Sequence, residues 1–345
     1  MRRTSPTASL DERLARALRP ALGGADGAVL LAVSGGPDSI ALMHAASRIG
    51  PADRLFVATV DHGLRPEAAQ EAAGVGRLAV ALGLAHAVLP WESPRRGSRV
   101  QAEARAARYR LLADHAARLG ARLVLTGHTL DDQAETVLMR LIAGSAPAGL
   151  AGMRRLRPLT PDIRLARPFL RLAKAELVAY CEAKGLSFLR DPSNTDERFS
   201  RARLRRLMPG LRAEGLSAAR LARLAERAAR DESALAERAD AVFAQRVWSE
   251  AGGLVLDGAR LRDEAEAICL RVLDRALDAV ACGLPDPVPR RLERVESLLF
   301  DALLPALTEG RALRRTLRGV LIDVNREGRI RLAAAPPRGS RNPAR

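Results

Sequence analysis

The chain has 345 residues, of which 48% are apolar and only 3% aromatic, and its formal net charge is +16. The apolar share is sufficient for a folded core, so a disordered chain is not the expected state. The positive charge favours a polyanionic partner, most simply nucleic acid. Lys174 and Lys184 are the two lysines among 56 basic residues, so this charge is almost entirely arginine.

The sequence also restricts location and covalent chemistry. Its first residues contain no apolar segment typical of a secretory signal, and no run of about 18 apolar residues predicts a transmembrane helix. We therefore expect a cytoplasmic protein without membrane association. Three widely spaced cysteines, Cys181, Cys269 and Cys282, form no CxxC motif and predict neither a zinc site nor a disulfide framework.

Strands and helices are predicted to alternate through the first 142 residues. The pattern predicts strands at 28–33, 55–60, 85–89 and 122–126, and helices at 10–22, from 40 onward, and at 67–83, 100–119 and 131–142. This alternation is typical of an α/β fold with a doubly wound, mostly parallel sheet. Polar residues follow the strand ends at Ser34, Asp61 and His128, at the edge where such sheets bind ligands.

The pattern changes in the second half of the chain. Residues 143–152 are small and glycine-rich and predict a mobile loop, and two short extended pieces follow within 154–170. The later predicted elements are helices at 172–184, 216–246 and 261–281, and a hairpin at 318–333. We expect an α/β domain at 1–209, a mainly helical domain at 210–333 and a loose tail at 334–345, with the boundary near 209–216.

The stretch most informative about function is Ser34-Gly35-Gly36-Pro37-Asp38-Ser39, between a predicted buried strand and a predicted helix. A glycine-rich turn in this place points backbone N–H groups and a helix N-terminus at an anion such as a phosphate. Asp38 would repel a phosphate unless a divalent cation lies between them. The stretch is neither a Walker A loop nor a GxGxxG dinucleotide motif. The alternative is an ordinary turn capped by serine and aspartate.

A second informative stretch, residues 128–136, leaves a predicted strand and enters a helix. Asp132 and Glu135 lie three residues apart and share a helix face, and His128 comes just before the first turn. Carboxylates at this edge can bind Mg²⁺ together with phosphates, or hold the ammonium group of a substrate. The alternative role is helix capping, for which Asp131 or Asp132 alone would suffice.

Two arginine-rich stretches are candidate phosphate-binding surfaces. Arg105 and Arg108 lie at i and i+3 of a predicted helix, where they could neutralise a triphosphate or contact a nucleotide backbone. Residues 201–230 contain nine arginines and two acidic residues, Glu214 and Glu226, an imbalance that favours contacts with phosphates. In both cases the alternative is a solvated helix face.

These motifs together resemble a known enzyme family. The stretch at 34–39 is similar to the SGGxDS pyrophosphate loop, or PP-loop, of the N-type ATP pyrophosphatases. Further matching segments are VDHGLR at 60–65, EARAARY at 103–109, GHTLDDQAETVLMRL at 127–141, GLAGM at 149–153, RPFL at 167–170 and DPSN at 191–194. With them the chain resembles the tRNA(Ile)-lysidine synthases from about Val29 to Leu211. One departure is Arg201-Ala202, where that family usually has an arginine-asparagine pair.

The resemblance implies a two-step reaction. ATP adenylates the C2 oxygen of the wobble cytidine in the CAU anticodon of tRNA(Ile), and pyrophosphate leaves. The ε-amine of free L-lysine then attacks C2, AMP departs, and the base becomes lysidine. ATP and Mg²⁺ are the implied substrate and metal, and the helical domain would bind the tRNA. A homodimer is possible, but the sequence does not decide the oligomeric state.

The resemblance also implies roles for individual residues. Asp38 would bind Mg²⁺, and Asp132 would bind Mg²⁺ or act as a general base. Glu135 would hold the lysine. Phosphate binding is implied for Ser34, Gly35, Gly36, Pro37 and Ser39. Contact with the cytidine, the rest of the substrate or the tRNA is implied for His128, Arg105, Arg108, Arg201 and Arg205.

Two alternative functions remain at this stage. The nearer one is another PP-loop enzyme, such as a tRNA thiolase or an amide-forming ligase. A thiolase would need a cysteine pair or an iron–sulfur site, and the three cysteines are poorly placed for either. The other is a tRNA-binding protein that has kept the fold without catalysis, against which the intact Asp38, Asp132 and Glu135 argue.

Overall fold

The computed structural model describes residues 8–61, 63, 68–91, 100–189, 200–250, 252–284 and 291–336, without the side chains of 100–102 and 200–202. The chain divides into two compact units, Met1–Ala229 and Arg230–Arg345. The DPSN segment at 191–194, most of the tail and three residues of VDHGLR lie outside the described ranges. None of the helices described is long and apolar enough to cross a membrane.

The first unit is a mostly parallel sheet with helices on both faces, as predicted. Its strands are β1 Val29–Ala32, β2 Leu55–Asp61, β3 Ala85–Pro90, β4 Leu123–Thr126, β5 Leu156–Pro158 and β6 Arg164–Ala166. Its helices are α1 Leu10–Gly23, α2 Pro37–Ser47, α3 Ala68–Ala81, α4 Val100–Arg118, α5 Leu130–Ile142, α6 Pro147–Leu150, α7 Lys174–Ala183 and α8 Ser200–Ala213. The strand order is β3-β2-β1-β4-β6-β5, with β5 antiparallel to β6 and the other pairs parallel.

Strand β1 is buried on both faces, which explains its continuous apolar sequence. Leu31 belongs to an apolar cluster with residues of α1, α2, α3 and α7, whereas Leu30 belongs to a cluster with residues of α4. Successive side chains of a strand point to opposite faces. Helices therefore cover both faces of the sheet, which is the doubly wound arrangement expected for a parallel sheet.

The glycine-rich segment at 143–152 differs from the predicted mobile loop, because it contains α6 and is tied to α5. Gln133 is buried; it donates to the Met153 carbonyl at 3.1 Å and accepts from the Met153 N–H at 2.7 Å. Arg140 donates to the carbonyls of Gly149 and Gly152 at 2.7 and 3.0 Å. These side chains of α5 order the segment, and its own composition contains no sign of them.

Helix α9, Ala218–Arg246, begins in the first unit. Its first turns pack with α5 and α8 in an apolar cluster that includes Val137, Leu204 and Leu221. The compact unit consequently extends to residue 229, whereas the predicted boundary at 209–216 falls at the junction of α8 and α9. Composition changes at that junction, but apolar packing continues across it.

The second unit contains the rest of α9 and an antiparallel sheet. Its strands are β7 Val247–Glu250, β8 Gly253–Asp257, β9 Leu313–Leu317, β10 Val320–Val324 and β11 Arg329–Ala334, in the order β7-β8-β11-β10-β9. Its helices are α10 Gly258–Leu261, α11 Glu266–Ala281, α12 Leu292–Ser297 and α13 Leu304–Thr308, with a π-helical segment at Leu298–Leu303. The predicted hairpin is confirmed as β10–β11, and the other three strands were not predicted.

Candidate active site at the switch point of the sheet

The strand order places two loops side by side at the carboxyl edge of the first sheet. β1 and β4 are parallel neighbours. The chain continues from β1 to β2 on one side of this pair and from β4 to β5 and β6 on the other. Ligands of open α/β sheets bind in the crevice at such a switch point. The loop 34–39 follows β1 and the segment 127–132 follows β4, so the two predicted motifs meet there.

The hydroxyl group of Ser39 holds the loop 34–39 in shape. It accepts a hydrogen bond from the Ser34 N–H at 3.1 Å and donates to the Gly36 carbonyl at 2.9 Å. Gly35 has a φ of +85°, which glycine adopts at little cost. Gly36 is the N-cap of α2 and Pro37 is at its start. The positive end of the α2 dipole and its first N–H groups therefore lie at the crevice, where they suit a phosphate.

Asp38 lies in the first turn of α2 and is paired with Lys174. The Lys174 Nζ is 3.2 Å from Asp38 Oδ2, while Asp38 Oδ1 is buried and forms no hydrogen bond within the described part of the chain. Burial raises the pKa of Asp38 to about 6, an effect that Lys174 opposes and Asp132 reinforces. Lys174 was not among the predicted site residues. It lies on α7, far along the chain, and no local pattern pointed to it.

The start of α5 brings two acidic residues to the same edge. Thr129 caps the helix in a capping box, in which Asp132 Oδ2 accepts from the Thr129 N–H at 2.8 Å and from its hydroxyl at 2.9 Å. Burial opposes ionisation of Asp132, but the hydrogen bonds from Thr129 and the nearby His128 hold its pKa below the usual value. Asp131 accepts from the Lys174 N–H at 2.7 Å. Asp132 thus combines the capping role with a position close to Asp38.

His128 lies just before α5 and is neutral. Its Nδ1 is 2.8 Å from Thr126 Oγ1. Burial and the positive charge of Arg108 lower the pKa of His128 to about 3, although Asp132 acts in the opposite direction. At physiological pH the imidazole can therefore form hydrogen bonds to a substrate without contributing a charge.

Glu135 lies one turn after Asp132 and is 4% exposed. Arg205 of α8 binds it with two contacts, Nε to Oε1 at 2.5 Å and Nη2 to Oε2 at 3.3 Å. Burial lowers the pKa of Arg205, but the pair with Glu135 raises it overall. Two predicted residues thus meet, and Glu135 is a buried carboxylate that binds a cation. The side chain of Arg201 is outside the description, so its role stays a prediction.

Arginines surround Tyr109 of α4, in what we call the four-arginine cluster: Arg105, Arg108, Arg157 and Arg167. The guanidinium carbons of Arg105, Arg108 and Arg157 lie 5.2, 5.9 and 5.1 Å from the centroid of the Tyr109 ring. Burial raises the pKa of Tyr109, but the charges of Arg105, Arg108 and Arg167 outweigh it and lower that pKa. Sequence reasoning missed Arg157 on β5 and Arg167 after β6, although Arg167 begins the RPFL segment.

Asp38 and Asp132 fit a Mg²⁺ ion by their chemistry. Mg²⁺ in nucleotide sites keeps several waters and binds through one or two carboxylates and the phosphates of the substrate. The buried Asp38 Oδ1 without a hydrogen bond is an oxygen that a cation would satisfy. Among the described residues, no three histidine, cysteine or acidic side chains gather as a preformed metal site.

The fold and the loop after β1 define the class of protein. The family model described as a PP-loop domain matches residues 6–211, so the chain is a PP-loop protein. A tRNA(Ile)-lysidine synthase from Methylobacterium nodulans is 56% identical over 95% of this chain and 96% of its own length. Another, from Bradyrhizobium sp. (strain BTAi1), is 44% identical over 91% of this chain and 92% of its own. The chain therefore belongs to the tRNA(Ile)-lysidine synthase family.

A solved structure supports the same fold. The U34-tRNA thiolase NcsA from Methanococcus maripaludis, determined with its [4Fe-4S] cluster, superposes with a TM-score of 0.54 at 17% identity. The match covers 64% of this chain and 79% of that chain. At this identity the likeness shows the PP-loop fold alone. Use of ATP follows from the PP-loop domain and the family.

Gly127 allows β4 to end against the phosphate loop. A Cβ at this position would lie 2.6 Å from the Asp38 carbonyl oxygen and 3.1 Å from the Ser39 backbone nitrogen. We expect Gly127→Ala to lower kcat/KM for ATP by about 100-fold, because a small displacement of the loop misaligns the phosphates. Steady-state kinetics measure the change. Gly23→Ala, at a site with nothing within 4 Å, is the control, and equal kinetics for both variants would contradict the expectation.

Proposed function

We propose that the chain ligates free L-lysine to C2 of the wobble cytidine in the CAU anticodon of tRNA(Ile), with ATP as co-substrate and lysidine, AMP and pyrophosphate as products. The observation that carries this proposal is the meeting of the phosphate loop and the Asp132–Glu135 face of α5 at one switch point. ATP-dependent ligation of an amine needs a phosphate-binding loop and a cation-binding carboxylate in one place. The family relatives carry the name of this product.

In the proposed first step the C2 oxygen bonds to the α-phosphorus of ATP, and the bond to pyrophosphate breaks. Negative charge develops on the leaving pyrophosphate, and the N–H groups at the start of α2 would stabilise it. Lys174 supplies a compact positive charge beside Asp38 at the same edge. We propose that Asp38 holds Mg²⁺, which would neutralise phosphate charge when bound, and that Asp132 either shares this ion or serves as the base of the second step.

The neutral imidazole of His128 and the guanidinium of Arg108 are proposed to bind the reacting nucleotide. The charge of Arg108 is close enough to His128 to lower its pKa. A neutral imidazole can orient the cytidine by a hydrogen bond, and the arginine can stabilise negative charge on the nucleotide. Together they would present the C2 oxygen to ATP.

In the proposed second step the ε-amine of lysine forms the C–N bond at C2, and AMP leaves with the electron pair of the C2–O bond. The amine gives up its proton to a base, for which Asp132 is the candidate. Glu135 would hold the lysine through an ammonium group and so compete with Arg205, its present partner. Lysine is itself the nucleophile, so no cysteine is required. The tRNA substrate also leads us to propose action in the cytoplasm.

The test is incorporation of radiolabelled lysine into unmodified tRNA(Ile) with the CAU anticodon, in the presence of ATP and Mg²⁺. Methionine tRNA, which shares the anticodon, is the control. We expect lysine on the isoleucine tRNA alone. Pyrophosphate release that depends on tRNA but without lysine incorporation would point to another nucleophile. Neither activity, with folded protein that binds tRNA, would favour the non-catalytic alternative.

The exposed arginines of α8 and α9 are the proposed contact with the body of the tRNA. Arg212, Arg223 and Arg227 are exposed, and none of them forms an ion pair within the described ranges. Replacing all three with glutamine should weaken tRNA binding and reduce the slope of log Kd against log salt by about 0.9 for each duplex phosphate that they neutralise. Binding titrations at several salt concentrations measure the slope. The variant with both Arg16→Gln and Arg19→Gln on α1 is the control. If the triple variant and the control give equal slopes, α8 and α9 do not contact the tRNA.

A further inference from the structure

We propose that the four-arginine cluster around Tyr109 binds a phosphodiester group of the RNA strand next to the wobble nucleotide. This site is separate from the loop that receives the triphosphate of ATP. The inference rests on the proposed function, because it requires an RNA substrate. It adds to that function a contact through Arg157 and Arg167, which no motif had indicated.

The first support is the positive charge of Arg105, Arg157 and Arg167, which no carboxylate of the described residues balances. Three guanidinium carbons lie within 6 Å of one ring centroid, and Arg167 is a further cation at the same ring. In the described part of the chain Arg105, Arg157 and Arg167 form no ion pair with a carboxylate. Contacts of arginine with an aromatic face are weak at exposed sites. Contacts with the Tyr109 ring do not explain why four positively charged side chains lie together, whereas a bound anion would.

The second support is a pair of buried polar atoms without well-formed hydrogen bonds. Arg167 is 3% exposed, and its Nη1 donates to the Arg154 carbonyl at 2.8 Å. Its Nε and the Tyr109 hydroxyl are buried; Arg167 and Tyr109 interact with each other, but neither of these two atoms has a well-aligned hydrogen bond within the described residues. A buried donor without an acceptor is unfavourable, and more so if it is charged. A phosphate oxygen would accept from both groups.

The third support is the position of the cluster. Arg167 directly follows β6, and Arg105 and Arg108 lie in the first half of α4, so the cluster lies at the carboxyl edge of the sheet. β4 separates β6 from β1, and two strand spacings amount to about 10 Å. A phosphate in the cluster would therefore lie about two strand spacings from the phosphates bound by the loop after β1. It would lie beside His128, the proposed contact of the cytidine, whose pKa the cluster arginines lower.

The shape of the cluster suits a chain of nucleotides. Arg105 is exposed and Arg157 is half-buried, whereas Arg167 is buried, so the site leads from solvent into the crevice. Arginine binds phosphate oxygens with two parallel hydrogen bonds, which fixes the orientation of the phosphate as well as its position. A phosphodiester held here would keep the adjoining base in register with the loop.

The experiment uses the full chain and fluorescently labelled tRNA(Ile) with the CAU anticodon, without ATP. Arg157→Gln and Arg105→Gln should each raise the Kd about tenfold. Each should reduce the slope of log Kd against log salt by about 0.7, because one single-strand phosphate is no longer neutralised. Matched controls remove the same charge from nearby positions: Arg164→Gln at the start of β6, which pairs with β5, and Arg110→Gln on α4, both exposed. The KM for ATP should stay within about twofold in all four variants.

Two further measurements separate a charge contact from a structural role. Arg157→Lys keeps the charge and should keep the wild-type salt slope. An anticodon stem-loop with one neutral methylphosphonate beside the wobble nucleotide should bind wild-type protein and Arg157→Gln equally, because the contact is already absent. If wild-type protein and Arg157→Gln still differ in Kd when the methylphosphonate is placed at each position flanking the wobble nucleotide in turn, the proposal is overturned.

Two other outcomes would also contradict phosphodiester binding by the four-arginine cluster. If Arg157→Gln and Arg105→Gln bind tRNA like their controls, the cluster does not contact RNA. If tRNA binding is unchanged but the KM for ATP rises, the cluster serves the triphosphate. Lysine incorporation by the wild type alongside either result would leave the proposed function intact and overturn this inference alone. If the wild type neither binds tRNA nor incorporates lysine, both fail together.

Discussion

Replacing Asp38 with asparagine is expected to lower tRNA-dependent pyrophosphate release by a factor on the order of 1,000, with tRNA affinity almost unchanged. Asp38 lies in the first turn of the helix that faces the phosphates, and its buried Oδ1 has no hydrogen-bond donor among the described residues. Asparagine has the same shape but cannot offer a charged oxygen to a cation. The partner Lys174 is 40% exposed, so its ammonium group can turn to water and the fold should persist.

The measurement is a single-turnover assay of labelled pyrophosphate release at saturating tRNA, with filter binding of the tRNA in parallel. Asp53→Asn is the matched control, because Asp53 is exposed on the short turn before β2, at the opposite edge of the sheet. If tRNA binding collapsed while release at saturating tRNA survived, the proposed metal-binding role of Asp38 would be wrong.

Glu135→Gln is expected to separate the two steps of the reaction. The variant should raise the KM for lysine by about 10- to 100-fold, because an ammonium group loses a charged acceptor. Pyrophosphate release with tRNA and ATP should continue, since the first step does not use this carboxylate. Arg205 is 33% exposed and can reach solvent when its partner becomes neutral, so we expect a folded protein.

Lysine titrations of product formation measure the effect, and Glu226→Gln provides the comparison. Glu226 also pairs with an arginine, Arg171 at 2.8 Å, but it is half exposed and lies on α9. An unchanged KM for lysine in Glu135→Gln would refute lysine binding by this residue. Loss of both steps together would make the pair with Arg205 structural.

The architecture of the first unit was largely predictable because its signals are local. A strand buried on both faces needs a continuous apolar run, as in β1. The helices of the first unit show the periodicity of apolar residues that is typical of a helix. The phosphate loop was predictable for the same reason, since six consecutive residues form the turn and start α2. The antiparallel sheet of the second unit was harder. Strand β9 reads Leu-Arg-Arg-Thr-Leu, and so short an arginine-bearing segment resembles the helices around it.

The candidate site was predictable only where its residues lie close in sequence. Asp132 and Glu135 share one helix face through a spacing of three, and this spacing was readable. The partner of Glu135 was not, because Arg205 reaches it from α8, 70 residues further along the chain. In a chain in which nearly every basic residue is arginine, a single arginine carries no local signal.

By itself the sequence determined the class of fold, the phosphate loop and the carboxylates of α5, because each is encoded by neighbours along the chain. Only the tertiary structure decided which distant residues meet them: Lys174 at Asp38, Arg205 at Glu135, and Arg157 and Arg167 at Tyr109. These contacts join different helices and strands at one edge of the sheet. They depend on how apolar faces pack and on where buried charges find partners, and neither is a property of any single segment.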